Sequence, residues 1–191
     1  NGSSNYYHWL IEILPKLKYF EDLDEEYQKF PLLVSDDVNH IKTFRESLDY
    51  INKNRPLIFL DKKRAYLVGK LLHINAPNNL PFNLRRNENI EVSDCLIRPS
   101  SINNLRNKLY FASKANSQAV MGNQRLFFAR KKERRNYNQE EIFEVFRLRG
   151  FERVFMEELT LRNQIEIVSN AEVIAGPTGA AWANLIFCRE G

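Results

Sequence analysis

A histidine and a glutamate near the start of the chain are the first residues that could carry chemistry. His8 and Glu12 stand four residues apart, and that spacing places both side chains on one face of an α-helix. The carboxylate could then orient the imidazole and increase its basicity, so that the histidine removes a proton from a hydroxyl group as a general base. A hydrogen bond inside a domain interface explains His8 equally well.

The second set of candidates is a glycine-containing loop near the end of the chain, Gly176-Pro177-Thr178-Gly179-Ala180. The loop follows a strand pattern and precedes a helix pattern. Glycine lets the backbone approach a ligand closely, and a helix N-terminus offers unpaired N–H groups and a partial positive charge, which suits a diphosphate. A tight strand-to-helix turn that binds nothing explains the same residues.

Three arginines form the third set. Arg130, Arg134 and Arg135 lie in a basic segment that follows an earlier strand pattern in the same half of the chain. The carboxyl ends of parallel strands share one edge of a sheet, so an arginine there could bind phosphate oxygens held by the glycine loop. For any single one of these arginines, a solvated surface loop is the ordinary alternative.

Two acidic features complete the candidates. Residues 22–24 read Asp-Leu-Asp, the form of a metal-binding Asp-x-Asp, but they lie in an acidic run just beyond a helix pattern, which favours a solvated turn. Glu158 follows a strand pattern and could accept hydrogen bonds from ribose hydroxyls. A surface carboxylate near a helix N-terminus explains Glu158 almost as well.

These candidates need an α/β framework to position them. Apolar residues at three- and four-residue intervals predict an amphipathic helix over residues 5–20, bent at Pro15. The remaining patterns of the first half predict a strand over 31–35, a helix over 41–52, a strand over 57–60, a β-rich stretch over 65–74, a loop over 75–89, a strand over 90–97 and a helix over 102–113. The polar stretch 114–123 predicts a link, with a boundary near residue 115 that divides the chain into lobes 1–115 and 116–191.

The second half has a regular order of elements. The patterns predict a strand over 125–129, a helix over 138–148, a strand over 153–156, a helix capped by Thr160, a strand over 173–175 and a final helix. Asn138 and Glu141 have the spacing of a capping box, and Gly150 suits the end of a helix. This β-α-β-α-β-α order predicts a parallel sheet whose ligands bind at the carboxyl ends of the strands.

Composition limits the class of protein. The chain has 191 residues, a net charge of +4 and 43% hydrophobic residues, which fits a folded protein that binds anions and falls short of a dedicated nucleic-acid binder. Cys95 and Cys188 lack Cys-x-x-Cys spacing, which argues against zinc and favours reduced thiols in the cytoplasm. No apolar run approaches the roughly 18 residues of a membrane helix. Because the chain begins at Asn1 without methionine and stops at Gly191 after an apolar run, we expect a piece truncated at one or both ends.

Taken in order, these segments resemble glycosyltransferase family 61. The resemblance rests on Asn5 to Leu10 with Glu12 and Pro15, Leu126 to Arg130, Arg134 to Asn136, Asn138 to Glu141, Gly150-Phe151, Glu158 to Leu161, Gln164, and Ala171 to Phe187. It implies a GT-B architecture, in which two Rossmann-like lobes with parallel sheets face a cleft. It also implies an inverting transferase without an obligatory metal or other cofactor. The donor would be a nucleotide sugar, UDP-linked, and the acceptor a glycan or lipid-linked glycan.

The resemblance also assigns roles to residues by position. Arg130 and Arg135, with Arg134 beside them, would neutralise the leaving diphosphate, Gly179 and Ala180 would offer backbone N–H groups, and Glu158 and Gln164 would line the nucleotide side. The implied donor set further includes Gly176, Pro177, Thr178 and Asn184. His8 would help deprotonate the acceptor hydroxyl, with Glu12 as its support. Whether a hexosyl, pentosyl or N-acetylhexosaminyl group is transferred stays open.

Three positions depart from the family pattern. Thr178 stands where many members have a histidine, Ala181 where they have a glycine, and Asn163 where they have a glutamate. Thr178 is the best support for an alternative, a catalytically degenerate nucleotide-binding partner in a polysaccharide assembly complex. An RNA-binding role is disfavoured because no aromatic-basic recognition motif is present. We expect a bacterial cytoplasmic enzyme of capsular or other surface polysaccharide synthesis; peripheral membrane association and oligomeric state stay open.

Overall fold

The computed structural model describes residues 4–80, 89, 91–114, 124–131 and 137–189. The fold is mixed α/β with parallel sheets, as the sequence predicts. The chain divides into two compact units, Asn1–Leu109 and Tyr110–Gly191. Most of the predicted polar link, with its boundary near residue 115, lies outside the described residues.

The first helix, α1, is one helical run over residues 6–21 whose winding changes along its length. It is α-helical at Tyr6–His8, π-helical at Trp9–Ile13, 3-10 at Leu14–Lys16 and α-helical again at Leu17–Glu21. Pro15 has no N–H to donate to the carbonyl of Ile11 four residues earlier, and Asn78 Nδ2 donates to that carbonyl instead at 2.6 Å. The predicted helix is confirmed, and its winding changes next to Pro15; the bend at Pro15 stays a prediction.

The other regular elements of the first unit are short. They are α2 (Glu25–Gln28), β1 (Leu32–Ser35), α3 (Asp37–His40), α4 (Lys42–Ile51), β2 (Leu57–Leu60) and α5 (Pro99–Lys114), which crosses into the second unit. β1 and β2 pair in parallel, from Leu32 opposite Leu57 to Ser35 opposite Leu60. The predicted strands over 31–35 and 57–60 and the predicted helices over 41–52 and 102–113 are confirmed.

The core of this unit forms where α1 packs on α4. The rings of Trp9 and Phe44 are stacked, with centroids 4.9 Å apart, and the indole N–H of Trp9 donates to Ser47 Oγ at 2.8 Å. Leu10 and Leu14 are buried beside them. Burying the aromatic rings stabilises the fold through their large apolar area, and the hydrogen bond removes the cost of burying the indole N–H. Together these contacts fix the orientation of α1.

The predicted β-rich stretch over 65–74 is wrong. This segment has no regular strand and instead borders an apolar cavity of about 580 Å³ between α1 and the β1–β2 pair. Strand structure requires backbone partners on a neighbouring strand, and no described strand pairs with the segment. Its apolar residues therefore do not form a buried sheet face, and Leu67 is fully exposed.

The predicted strand over 90–97 is also wrong. Val92–Asp94 forms a 3-10 turn, in which the side chains of Glu91 and Asp94 each accept from the other's backbone N–H. Of this stretch, Leu96 alone among the described residues makes a β-type contact, an isolated antiparallel bridge to Asn79. The reciprocal side-chain hydrogen bonds of the capping box favour a turn over the extended apolar pattern. Ile90 lies outside the described residues.

The second unit alternates strands and helices. Its elements are β3 (Gln124–Ala129), α6 (Gln139–Arg147), β4 (Phe151–Phe155), a 3-10 turn (Met156–Glu158), α7 (Leu161–Ser169), β5 (Ala171–Ala175) and a 3-10 helix (Ala180–Phe187). The sheet order is β4-β3-β5, and both pairings are parallel. The predicted β-α-β-α-β order with a parallel sheet is confirmed.

Two of the predicted helix ends are confirmed, and one is wrong. Thr160 caps α7 because its Oγ1 accepts from the Asn163 N–H at 3.2 Å, and Gly150 follows α6 with a φ of 78°, as predicted. The predicted capping box at Asn138 is wrong. Asn138 Nδ2 donates to the side chain of Glu141 at 2.7 Å, and no described side chain caps the backbone at the start of α6. The final helix has 3-10 winding.

Aromatic side chains fill the space between β3 and α6. Phe127 is buried, and its ring centroid lies 5.4 Å from that of Phe143 and 5.1 Å from that of Phe146. Leu161 and Ile165 of α7 are buried as the helical pattern predicts. Replacing a buried phenylalanine by alanine costs about 3–5 kcal/mol. This core holds the strand ends in fixed positions.

Candidate functional site

Three segments meet at one edge of the second sheet. β3, β4 and β5 end at Ala129, Phe155 and Ala175. Phe155 pairs with Ala129, and Ala175 pairs with Phe127. Because the strands are parallel, the segments that follow them leave the sheet on the same side. The predicted meeting of the basic segment and the glycine loop at one edge is thereby confirmed for the described residues.

Arg130, the first residue after β3, extends its side chain to the glycine loop after β5. A Cβ atom added to Gly179 would lie 3.1 Å from Arg130 Cζ and closer still to Nη2. Gly179 has an extended backbone, with φ 169°, so its missing side chain matters for space rather than for backbone freedom. The guanidinium occupies that space, half-buried, and no ion pair to it occurs among the described residues.

The glycine loop is held against the end of β3. Gly176 has a φ of 150°, and a Cβ added there would meet the carbonyl oxygen of Phe128 at 2.6 Å, so any side chain would force the loop away. Trp182 secures the other side, because its indole N–H donates to the Pro177 carbonyl at 2.7 Å. Its ring centroid lies 5.8 Å from that of Phe128. Glycine and tryptophan together fix the path of the loop.

A buried glutamine holds the base of the basic segment. Gln139 is 6% exposed. Its Oε1 accepts from the Arg130 N–H at 2.7 Å, and its Nε2 donates to the Arg130 carbonyl at 3.1 Å. The phenol of Tyr137 donates to the same Oε1. The backbone of Arg130 is therefore tied to the start of α6.

Lys131 is committed to two carboxylates. Its N–H donates to Glu157 Oε1 at 2.7 Å, and its ammonium group pairs with Glu158. The hydrogen bond and the charge of Glu158 raise the pKa of Lys131 above its usual range. The carboxylate of Glu158 therefore balances the positive charge of Lys131. In the described part of the unit, Arg130 remains as the cation next to the glycine loop.

Two buried amides lie behind the loops. Gln164 is 3% exposed, and its Nε2 donates to the carbonyls of Met156 and Leu159 at 2.8 and 3.3 Å. Its Oε1 is buried and has no hydrogen-bond partner among the described residues. Asn184 is fully buried and donates to the Ala181 carbonyl at 3.1 Å. A buried amide oxygen without a donor is costly, and in the described part of the unit Gln164 Oε1 carries that cost.

The first unit contains the histidine pair. His8 Nδ1 lies 2.9 Å from Glu12 Oε2, and the two side chains are only 13% and 12% exposed. The other carboxylate oxygen of Glu12 accepts from the Leu80 N–H at 3.1 Å. With Glu12 ionised, Nδ1 must be the donor, and the neutral imidazole then has Nε2 as its acceptor. This is the arrangement that a supported general base requires.

Tyr7 lies beside this pair. Its ring meets the imidazole of His8 edge to face, with centroids 5.7 Å apart. Burial raises the pKa of the Tyr7 phenol above its ordinary value, and electrostatic interactions with Glu12 and Cys95 raise it further. The phenol therefore stays protonated at neutral pH and can act as a hydrogen-bond donor.

Comparison with known protein families identifies the chain. The family model described as Glycosyltransferase 61 matches residues 6–191. The chain belongs to glycosyltransferase family 61. Comparison with curated proteins finds no match, and neither does comparison with solved structures. Membership of this family makes the protein a transferase of glycosyl groups.

The two sets of candidates of this family 61 chain lie in different units. In the first unit His8 and Glu12 are in contact. In the second, Arg130 lies against Gly179. Thr178 is exposed, Ala180 begins the last helix, and Glu158 is turned to Lys131. Arg134 and Arg135 lie outside the described residues. The donor-binding and catalytic roles of all these residues stay predictions.

Within residues 4–80, 89, 91–114, 124–131 and 137–189, no three His, Cys, Asp or Glu side chains form a group that could hold a metal ion. In the same ranges, no helix is long and apolar enough to cross a membrane.

Sequence reasoning missed three residues that position the candidates. Gln139 holds Arg130, Trp182 holds Pro177, and Asn78 holds the carbonyl of Ile11. Each acts through one side-chain hydrogen bond or a pair of them to a residue at least five positions away in the sequence, and such a partner leaves no periodic signal in the sequence. One sign in the sequence does indicate that Gln139 faces inward. It lies in the first turn of the predicted helix, four residues before the apolar Phe143.

Proposed function

We propose that this family 61 protein is an inverting, metal-independent glycosyltransferase that moves a sugar from a UDP-linked nucleotide donor to a glycan acceptor. The acceptor belongs to capsular or another surface polysaccharide, free or lipid-linked, made in the bacterial cytoplasm. A GT-B arrangement of two Rossmann-like lobes is part of the proposal, with the donor bound by the second lobe. Family membership supports the transferase class, and the geometry of the two units supports the roles of individual residues.

The contact between Arg130 and the glycine loop carries the donor assignment. Arg130 and Gly179 follow neighbouring parallel strands at their carboxyl edge, the edge at which open α/β sheets bind ligands. A guanidinium donates paired hydrogen bonds to phosphate oxygens, and Gly179 and Ala180 bring backbone N–H groups to the same place. No described acidic side chain neutralises the Arg130 guanidinium. The arrangement suits a departing nucleoside diphosphate, whose negative charge grows during transfer.

The side-chain oxygen of Gln164 supports the proposal that the base or ribose of the donor binds in this unit. Gln164 Oε1 is a buried acceptor without a described donor, and a base N–H or a ribose hydroxyl would satisfy it. Glu158 lies at the carboxyl edge after β4, but it is paired with Lys131. A ribose hydroxyl would have to compete with that ammonium group or bind the second oxygen of the carboxylate.

The His8–Glu12 pair supports the chemistry proposed for the acceptor. The acceptor hydroxyl oxygen would form a bond to the anomeric carbon as the bond from that carbon to the diphosphate oxygen breaks. His8 would take the hydroxyl proton, and the electron pair of the broken bond would leave with the diphosphate, stabilised by Arg130. A single displacement of this kind inverts the anomeric carbon. Glu12 would stabilise the imidazolium that forms.

A second function is favoured by one position. Thr178 is exposed on the glycine loop and stands where many family members have a histidine. A protein that keeps the donor site but lacks that histidine could serve as a nucleotide-binding partner in a polysaccharide assembly complex. Hydrolysis or transfer of a bound nucleotide sugar by the purified chain would exclude this alternative.

Thermal denaturation with nucleotides tests the proposal. A ligand that binds only the folded state raises the melting temperature, so UDP, GDP, CDP, AMP and NAD are each added with and without a chelator. We expect UDP to raise the melting temperature equally in both conditions. A rise that disappears with chelator would contradict metal independence, and no rise with any nucleotide would contradict the donor site itself.

A further inference from the structure

The amide of Gln139 replaces a missing strand partner for Arg130. Arg130 follows the last residue of β3, so its backbone groups have left the sheet ladder. The two hydrogen bonds from Gln139, at 2.7 and 3.1 Å, satisfy its N–H and its carbonyl. Holding both backbone groups fixes the direction in which the Cα–Cβ bond of Arg130 leaves the backbone. The path of the Arg130 side chain toward Gly179 therefore starts from a bond that this amide holds in place.

The position of Gln139 makes this pairing hard to break. Gln139 is the first residue of α6 and is 6% exposed. Phe143, four residues later on the same face, packs on Phe127 of β3. A buried amide that lost its partners would pay a desolvation penalty, so the amide stays on Arg130.

Tyr137 extends the same contact. Its phenol donates to Gln139 Oε1, the oxygen that also accepts from the Arg130 N–H. Arg130 and Tyr137 stand on either side of residues 131–136, and Gln139 joins them. One side chain thus bonds to both Arg130 and Tyr137.

We propose that Gln139 is a positioning residue for the donor diphosphate, acting by fixing the backbone of Arg130 so that its guanidinium stays against Gly179. Gln139 does not touch the phosphates in this proposal. The inference rests on the proposed function, in which Arg130 receives the diphosphate. It predicts that loss of the amide weakens donor binding through Arg130 and by no other route.

The test uses three variants of the full chain and UDP as the probe. Gln139→Leu removes both hydrogen bonds at similar volume, and Gln139→Glu keeps an oxygen for the Arg130 N–H. Asn138→Ala is the matched control, because this neighbouring amide contacts the exposed Glu141.

UDP affinity is measured by calorimetry, and exchange of the Arg130 amide hydrogen by NMR. We expect Gln139→Leu to bind UDP about tenfold more weakly, the scale of one hydrogen bond to a charged group, and to exchange faster. Gln139→Glu should recover part of the affinity, and Asn138→Ala should match the wild type.

A double-mutant cycle with Arg130→Ala separates positioning from general destabilisation. If Gln139 acts through Arg130, adding Gln139→Leu to Arg130→Ala weakens UDP binding no further. Additive losses would overturn the proposal, and so would wild-type affinity in Gln139→Leu. Unchanged exchange of the Arg130 amide would show that Gln139 does not hold the backbone. If the wild-type protein bound no UDP, the proposed donor site would fail and the positioning role with it, whatever the exchange data showed about the backbone contact.

Discussion

The guanidinium of Arg130 fills the space that a side chain at Gly179 would need. A Cβ atom at Gly179 would approach Arg130 Cζ to 3.1 Å, so these two residues from neighbouring loops are matched in size. A side chain at Gly179 would therefore push the guanidinium aside. Because the arginine side chain is flexible, we expect this displacement to cost the fold little stability, so its effects on donor binding and on stability can be measured separately.

Gly179→Ala should therefore weaken donor binding without a large loss of stability. Displacing the guanidinium removes a charged hydrogen bond worth about 1.5–3 kcal/mol, or about 10- to 150-fold in affinity. UDP titration and thermal denaturation measure the two effects. Gly150→Ala is the control, because Gly150 has a φ of 78° and nothing within 4 Å of an added Cβ. It should lower the melting temperature and leave UDP affinity unchanged; the reverse pattern for the two variants would contradict the contact.

His8→Ala should abolish most turnover while donor affinity stays unchanged. General-base catalysis contributes about 10²- to 10⁴-fold to rate, so kcat should fall within that range in a transfer assay with an identified acceptor. His40→Ala is a matched control, because His40 pairs with Asp36 at the same four-residue spacing on the surface, 70% exposed. His40→Ala should transfer at the wild-type rate. Near-normal turnover of His8→Ala would remove the base assignment.

Asn78→Ala should destabilise the first unit. Asn78 is fully buried, donates to the Ile11 carbonyl, and accepts from the Arg98 N–H at 2.7 Å and from Ser101 Oγ at 3.2 Å. Leaving these groups unpaired costs about 1–3 kcal/mol for each buried group, and urea denaturation measures the sum.

The neighbouring Asn79 provides the control for that measurement. Asn79 is exposed, and its contact with Leu96 is made by backbone atoms. Asn79→Ala should change the free energy of unfolding by less than about 0.5 kcal/mol, as is usual at surface positions. Equal losses for the two variants would mean that the Asn78 side chain is not what holds the Ile11 carbonyl.

Trp182→Phe should loosen the glycine loop. The change keeps a ring next to Phe128 but removes the hydrogen bond to the Pro177 carbonyl, which contributes about 0.5–1.5 kcal/mol. We expect weaker UDP binding in calorimetry and a small fall in melting temperature. Trp9→Phe removes the corresponding indole hydrogen bond in the first unit, so it should lower the melting temperature without changing UDP affinity. A loss of UDP affinity in Trp9→Phe alone would contradict the assignment of the loop.

Elements whose signals are local were predictable from the sequence. The helix α7 was predicted with its cap, because the Thr160 side chain bonds to a backbone N–H three residues later and the buried Leu161 and Ile165 repeat at helical spacing. The parallel order of β3, β4 and β5 followed from the alternation of strand and helix patterns. The meeting of Arg130 with the glycine loop at one edge followed from that order.

Elements whose signals depend on distant partners were not predictable. Residues 65–74 have an apolar pattern suited to a strand, but a strand forms only when another strand offers its backbone groups. Asn138 and Glu141 have capping-box spacing, yet the two side chains bond to each other. For residues 65–74 the outcome depends on a distant strand, whereas for Asn138 and Glu141 two local arrangements of the same side chains fit the one sequence pattern.

The sequence by itself determined the family, the α/β class and which residue types reach the carboxyl edge of the second sheet, because short-range periodicity and motif order carry that information. The tertiary structure alone decided that Arg130 is held by Gln139, that Lys131 is neutralised by Glu158, and that Asn78 bonds to the carbonyl that Pro15 leaves unpaired. These contacts join residues from different elements. Their free energy depends on burial and on distances of about 3 Å, which exist only once the chain has folded.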